Sequence, residues 1–291
     1  ENISERNIKL AFFLNLFFTV IEVFGGFFTN SLAILSDALH DLGDSFSLGL
    51  AWYFSRIAKK KPTSEFSYGF KRFSLLAALV NGFILLGGSF YVLSRAIPRI
   101  LNPEQSNAQG MFFFALMGIA VNGLAVWRLR GGKTMNERMV TWHLLEDVLG
   151  WLAVWFVSII MLIWDIHILD PILSMLITLY ILWNVIKNLK KTLMLFLQGV
   201  PDSLQIEDVE QKIKKIERIK GVHDTHLWSL DGEHHILTTH IVLDTNITKQ
   251  KISDVKCKTK EMLQKLGVHH ATVETEYEDE KCPFKYKQTR G

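Results

Sequence analysis

The chain has 291 residues, 49% of them hydrophobic and 12% aromatic, with 21% charged side chains and a net charge of +3. Its charges are unevenly placed: 30 fall in residues 1–199 and 31 in residues 200–291. An apolar two thirds followed by a polar third excludes a single soluble enzyme domain, a disordered chain and a secreted disulfide scaffold, and so small a net charge gives no footing for nucleic acid.

A bilayer core needs roughly 20 apolar residues of helix. Six runs meet that need, at about 8–28, 31–57, 70–97, 108–129, 139–164 and 171–193. The chain opens on Glu1, and its first apolar run is too long for the core of a signal peptide. The connections 29–30, 58–69, 98–107, 130–138 and 165–170 are short, which predicts antiparallel neighbours in a helical bundle. Lys and Arg mark the cytoplasmic side. The second connection and its flanks hold Arg56, Lys59, Lys60, Lys61, Lys71 and Arg72; the fourth holds Arg128, Arg130, Lys133 and Arg138. The first and fifth hold none, and Lys187, Lys190 and Lys191 close the sixth span. Both termini are therefore expected in the cytoplasm, where the two cysteines, Cys257 and Cys282, would stay reduced. The expected organisation is a six-helix transmembrane domain over 1–199 and a cytosolic domain over 200–291.

The polar third reads as an α+β unit of order αββαβ. A helix is expected over 204–219, where Leu204, Ile206, Val209, Ile213 and Ile216 recur at helical spacing. Strands follow over 222–230 and 235–243 with Asp231-Gly232 as the hairpin signal, then a helix over 253–266 closed by Gly267, and a strand over 271–277. Cys257, mid-helix, is expected to be a buried small hydrophobe.

Charges inside a bilayer cost several kcal/mol, about 3 on the lenient insertion scale, so those present need a reason. The spans hold Glu22, Asp37, His40, Asp41, Asp44, His143, Glu146 and Asp147. Two pairs share one pattern: His40 and Asp44 in span 2, His143 and Asp147 in span 5, each reading His-x-x-x-Asp. On a helix, residues four apart share a face, so each helix offers one imidazole nitrogen and one carboxylate. Two such helices make a four-ligand cage that suits tetrahedral zinc, with two carboxylates to offset the ion. The bland alternative is a pair of buried His–Asp hydrogen bonds that serve packing. A third copy, His240 and Asp244, falls on a predicted strand, where residues four apart are too distant to chelate together. Asp37 reads as lining an aqueous entry or capping a kink, Asp41 and Glu146 as water-lining or interhelical groups, and Glu22 and Asn15 as interhelical hydrogen-bond partners. Seven of the ten histidines lie in the polar third. Among them His223 and His240 fall on adjacent strands, and with Glu276 they could converge on a cytosolic metal site; Cys282 is a further candidate ligand.

Six spans, paired His-x-x-x-Asp in spans 2 and 5, and an αββαβ tail resemble the cation diffusion facilitator family over nearly the whole chain. The strings that carry the resemblance are Ser31-Leu32-Ala33 and Ser36-Asp37-Ala38-Leu39-His40, then Tyr68-Gly69-Phe70-Lys71-Arg72, His143-Leu144-Leu145-Glu146-Asp147, Asp170-Pro171, and Gly221-Val222-His223-Asp224-Thr225-His226-Leu227-Trp228. The resemblance implies no enzyme but a homodimeric metal–proton antiporter that moves divalent cations out of the cytoplasm, seated in the inner membrane if the source is bacterial. His40, Asp44, His143 and Asp147 would be its transport site, zinc its cargo and possible regulatory ligand, and the tail a metallochaperone-like, ferredoxin-like dimerisation domain. Three features depart from the family pattern: no histidine in 58–69, a short 130–138 connection without a His-rich insert, and Trp151 where a small residue is usual.

Ligand chemistry supplies the expected mechanism. Zinc needs neutral imidazoles and ionised carboxylates, so metal and protons exclude each other. An unperturbed imidazole titrates at about 6.5, which poises that competition near physiological pH. Cobalt, nickel, cadmium or iron(II) is the runner-up cargo, and a membrane metal sensor without transport a distant alternative. An intramembrane metalloprotease would need a motif such as His-Glu-x-x-His, which is absent.

Overall fold

The computed structural model describes residues 3–129 and 135–280. The apolar runs fold as six long helices: α1 (Ile3–Thr29), α2 (Leu32–Ala58), α3 (Phe73–Leu101), α4 (Ala108–Leu129), α5 (Met135–Trp164) and α6 (Leu169–Phe196). Among the described residues, four stretches are long and apolar enough to cross a membrane: Phe73–Leu101, Ala108–Arg128, Val140–Trp164 and Leu169–Phe196. α2 is a full-length helix, yet its first half carries Asp37, His40, Asp41 and Asp44, which lower its hydropathy.

Local chemistry sets the ends. The two-residue connection after α1 works because Asn30 adopts a left-handed conformation, φ 53°, which asparagine tolerates. α3 was expected to stop before Pro98 but runs through it to Leu101. Proline there forfeits a single bond near the helix end, and the turn closes with Asn102 N–H donating to Pro98 O at 2.9 Å.

The chain divides into two compact units, residues 1–53 with 77–189, and residues 54–76 with 190–291. The first unit has a core of Phe18, Ala33, Ile34, Met111, Ala115, Trp151, Val154 and Met161, drawn from α1, α2, α4 and α5. Many large apolar side chains on these helices stay exposed, among them Phe28, Phe113, Trp127 and Trp183, as a lipid-facing surface requires.

The second unit contains the expected αββαβ order: α7 (Ile206–Lys214), β1 (Ile219–Ser229), β2 (His235–Leu243), α8 (Lys249–Lys265) and β3 (Val268–Tyr277). β1 and β2 are antiparallel, and β2 and β3 are parallel, in sheet order β1-β2-β3. The helices cover one face through Val209, Ile213, Val255 and Leu263, which pack on Leu227, Leu237 and Ile241. Gly267 has φ 87° and ends α8 as read from sequence. Two expectations are corrected. The hairpin loop spans residues 230–234 and not 231–234, because Ser229 Oγ accepts from Gly232 N–H and Asp231 Oδ1 accepts from the amides of Glu233 and His234. Cys257 is exposed: α8 buries Val255, Thr259 and Leu263, and residue 257 falls off that face. Cys282 lies outside the described residues.

Candidate metal centres

α2 brings His40 and Asp44 to one face, and α5 presents His143 to the same point. Asp44 Oδ2 lies 3.7 Å from His40 Nε2 and 3.2 Å from His143 Nε2, so one carboxylate oxygen stands between two imidazoles. The two rings are 6.1 Å apart, close to edge-on. Ligand atoms of His40, Asp44 and His143 all fall within 4.8 Å of one another. Asp147 stands one step outside this group. Its Oδ2 is 4.0 Å from His143 Nε2, is buried, and accepts no hydrogen bond. A cavity of about 280 Å³ adjoins, lined by Asp37, His40, Glu146, Asp147 and Tyr180. A second of about 240 Å³ touches His40, Gly43, Ser89 and Thr178, so His40 borders both.

The other intramembrane acids are shut away from water. Glu22 and Asp41 are fully buried, and the Trp151 indole of α5 is the interhelical hydrogen-bonding group that Glu22 faces. The side chain of Asn15 lies outside the described ones.

A second group forms on the sheet. The β1–β2 register places His223 directly opposite His240, and a bulge follows at Asp224, whose φ is 49°. Glu276 on β3 reaches both: its Oε2 is 3.2 Å from His223 Nε2, and its Oε1 bonds His240 Nδ1. The ligand atoms of these three also lie within 4.8 Å of one another. Two imidazoles and one buried carboxylate leave a tetrahedral position open. At the hairpin end, burial and then the nearby His269 push the His235 imidazole below its usual pKa.

Residues 8–197 match the family model described as the cation efflux transmembrane domain, and residues 201–278 match the model of the cation efflux protein cytoplasmic domain. The chain belongs to the cation diffusion facilitator family. Among curated relatives, it is 31% identical to the cadmium, cobalt and zinc/H(+)-K(+) antiporter of Bacillus subtilis over 282 residues, 96% of this chain and 91% of that protein. It is 33% identical to the metal cation efflux system protein CzcD of Cupriavidus metallidurans, covering 94% of this chain and 87% of that one. To the zinc transporter ZitB of Escherichia coli it is 30% identical, covering 96% and 89%. The chain is thus an integral membrane protein for divalent metal cation efflux.

Two residues matter to this efflux protein in ways the sequence reading missed. Asp170, in the first turn of α6, is fully buried and caps a different helix. Its carboxylate accepts from Ser31 Oγ at 2.6 Å, Leu32 N at 2.9 Å, Ala33 N at 3.2 Å and Ser106 Oγ at 3.3 Å. Ser31 Oγ in turn accepts from Ile34 N–H at 3.2 Å. The first three amides of α2 are thereby satisfied, and the helix that carries His40 and Asp44 is pinned to α6. Ser174 and Thr178 continue the seam, Ser174 Oγ donating to Leu32 O and Thr178 bonding Ser36 at 2.9 Å. A period of four hydroxyl or carboxyl residues on α6 was the available signal. The second residue is Gly118 on α4. A Cβ there would sit 2.3 Å from the indole of Trp151, so the glycine makes the space that the bulky residue fills.

Proposed function

We propose that this protein exports zinc from the cytoplasm in exchange for protons, through a site made by His40, Asp44, His143 and Asp147. The observation that carries the reading is the convergence of His40, Asp44 and His143 from two helices, with Asp147 Oδ2, which accepts no hydrogen bond, at 4.0 Å from His143. Two nitrogens and two oxygens suit tetrahedral zinc. The ion takes its place only when both imidazoles are neutral and both carboxylates ionised, so each zinc bound releases protons and each proton bound opposes zinc. His40 borders two cavities, one of them carrying Asp37, Glu146 and Asp147 in its wall, and alternate opening would use them in turn.

The same reading takes both termini as cytoplasmic, from the Lys and Arg of the second and fourth connections. It takes residues 1–199 as the transport domain and 200–291 as a cytosolic domain that pairs two copies, in line with the second family model. His223, His240 and Glu276 would hold a regulatory zinc there, favouring one arrangement of the dimer by population shift. Cadmium and cobalt stand in the names of relatives and are the competing cargo.

The test is zinc flux into proteoliposomes under an imposed pH gradient. Asp44→Ala and Asp147→Ala should each abolish flux while the purified protein stays folded. Retained flux in Asp147→Ala would remove it from the site and leave a three-ligand centre.

A further inference from the structure

Within the second unit, the connection before α3 and the hairpin end of the sheet line a half-open cavity of about 260 Å³. Its wall is rich in donors: the side chains of Lys71, Arg72, Gln198 and Trp228, with Tyr68 beside them. Lys71 and Arg72 are half-buried, and neither makes an ion pair among the described residues. The one acid on the rim, Glu65, is exposed and leaves the lining with a net positive charge. Two partly desolvated cations without a counter-ion are costly unless an anion joins them.

The cavity is held open by its backbone. Thr63 N–H donates to Phe66 O at 3.1 Å, Phe66 N–H to Thr63 Oγ1 at 3.1 Å, and Gly69 N–H to Phe66 O at 2.8 Å. Gly69 has φ 76°, a conformation that lets the chain turn back toward Lys60 and Pro62. Gln198 is left-handed as well, φ 63°, although it is not glycine, and it lines the cavity. Tyr68 is fixed from the other side by an edge contact with His270 at 5.7 Å.

We propose that this cavity binds a phosphate group, with the fork of Arg72 and the ammonium of Lys71 as its charged partners and Gln198 and Trp228 as neutral donors. Guanidinium geometry matches two phosphate oxygens at once, and lysine adds a point charge. The position favours a lipid headgroup as the source. Lys71 and Arg72 immediately precede Phe73, the first residue of a helix long and apolar enough to cross a membrane, so they lie at headgroup depth. Tryptophan and basic residues together are the usual furniture of that layer.

The test uses the full-length protein in phosphate-free detergent, titrated with phosphatidylglycerol or phosphatidylcholine and read by native mass spectrometry. One phosphatidylglycerol per chain should be retained at least ten-fold more tightly than phosphatidylcholine. The double variant Lys71→Ala/Arg72→Ala should lose that preference. Lys59→Ala/Lys60→Ala removes the same charge from the same connection, outside the cavity, and should keep it. Gln198→Glu leaves both cations in place but adds an anion to the wall, and should weaken retention ten-fold without removing the cations. A parallel arm adds inorganic phosphate: displacement of the lipid at millimolar phosphate assigns the site to the soluble ion, and persistence assigns it to the headgroup. Equal retention of phosphatidylglycerol by parent and Lys71→Ala/Arg72→Ala, with no phosphate bound by either, overturns the proposal.

Discussion

Asp170 illustrates how one side chain can govern a site it does not touch. Four donors converge on its carboxylate, two of them backbone amides at the start of α2. Replacing it with alanine leaves those amides buried and unanswered, each worth about 1–3 kcal/mol. Asp170→Ala should therefore lower the thermal midpoint of the purified protein and cut zinc flux, because the helix bearing His40 and Asp44 loses its anchor. Asp170→Asn keeps one acceptor oxygen and should lie between parent and alanine on both readings. Unchanged unfolding in Asp170→Ala would show that Ser31 alone suffices as the cap. The role was invisible in sequence because it joins positions 138 and 139 residues apart. The His-x-x-x-Asp pairs, by contrast, were legible, since a four-residue spacing on a helix fixes a shared face before any packing is known.

At the scale of the element, α4 and α5 fit through a glycine and a tryptophan. Phe18 of α1 meets the same indole edge-on at 5.7 Å. Adding one methyl at Gly118 forces a buried, fully surrounded ring to move, at a cost of roughly 1–3 kcal/mol. Gly118→Ala is expected to destabilise the protein by about that amount, and Trp151→Leu to destabilise it through lost burial. The double variant should be less damaged than the sum of the two, because each change relieves the other. Additive losses, measured by detergent-phase thermal unfolding, would mean that the two positions are not in contact. The periods of the elements were readable along the chain; their exact reach was not. α3 passes Pro98 because the proline falls in the last turns, and the hairpin loop takes in Leu230 because Ser229 and Asp231 close it with side chains. The exposure of Cys257 could have been read, since Val255, Thr259 and Leu263 define a face that excludes it.

For the molecule as a whole, the proposed orientation puts Cys257 on the cytoplasmic side. In a Cys282→Ser background, a membrane-impermeant maleimide should label inside-out vesicles and spare right-side-out ones; the reverse pattern would invert the topology. The hydrogen bond to Glu261 and the charge of that carboxylate raise the thiol above its usual pKa. Only the thiolate reacts, so labelling should climb steeply as pH rises into the alkaline range, and Glu261→Gln should shift that climb to lower pH. The architecture also has a mechanical consequence. Around the start of α2, Arg99 donates to Asn30 Oδ1 at 2.6 Å and pairs with Glu104 at 2.7 Å, Asn107 N–H donates to Thr29 O, and Asp170 gathers Ser31 and Ser106. Four helices are thus riveted at one end, and α2 becomes a lever with its fulcrum there. The Ser36–Thr178 bond carries the rivet up to Ser36, about 6 Å short of His40 at 1.5 Å per residue, so a tilt of roughly 10° beyond it would move His40 about 1 Å. That stroke exceeds the tolerance of a metal–ligand bond, so in the proposed site a small rotation about the rivet would be enough to assemble the ligand set or to pull it apart.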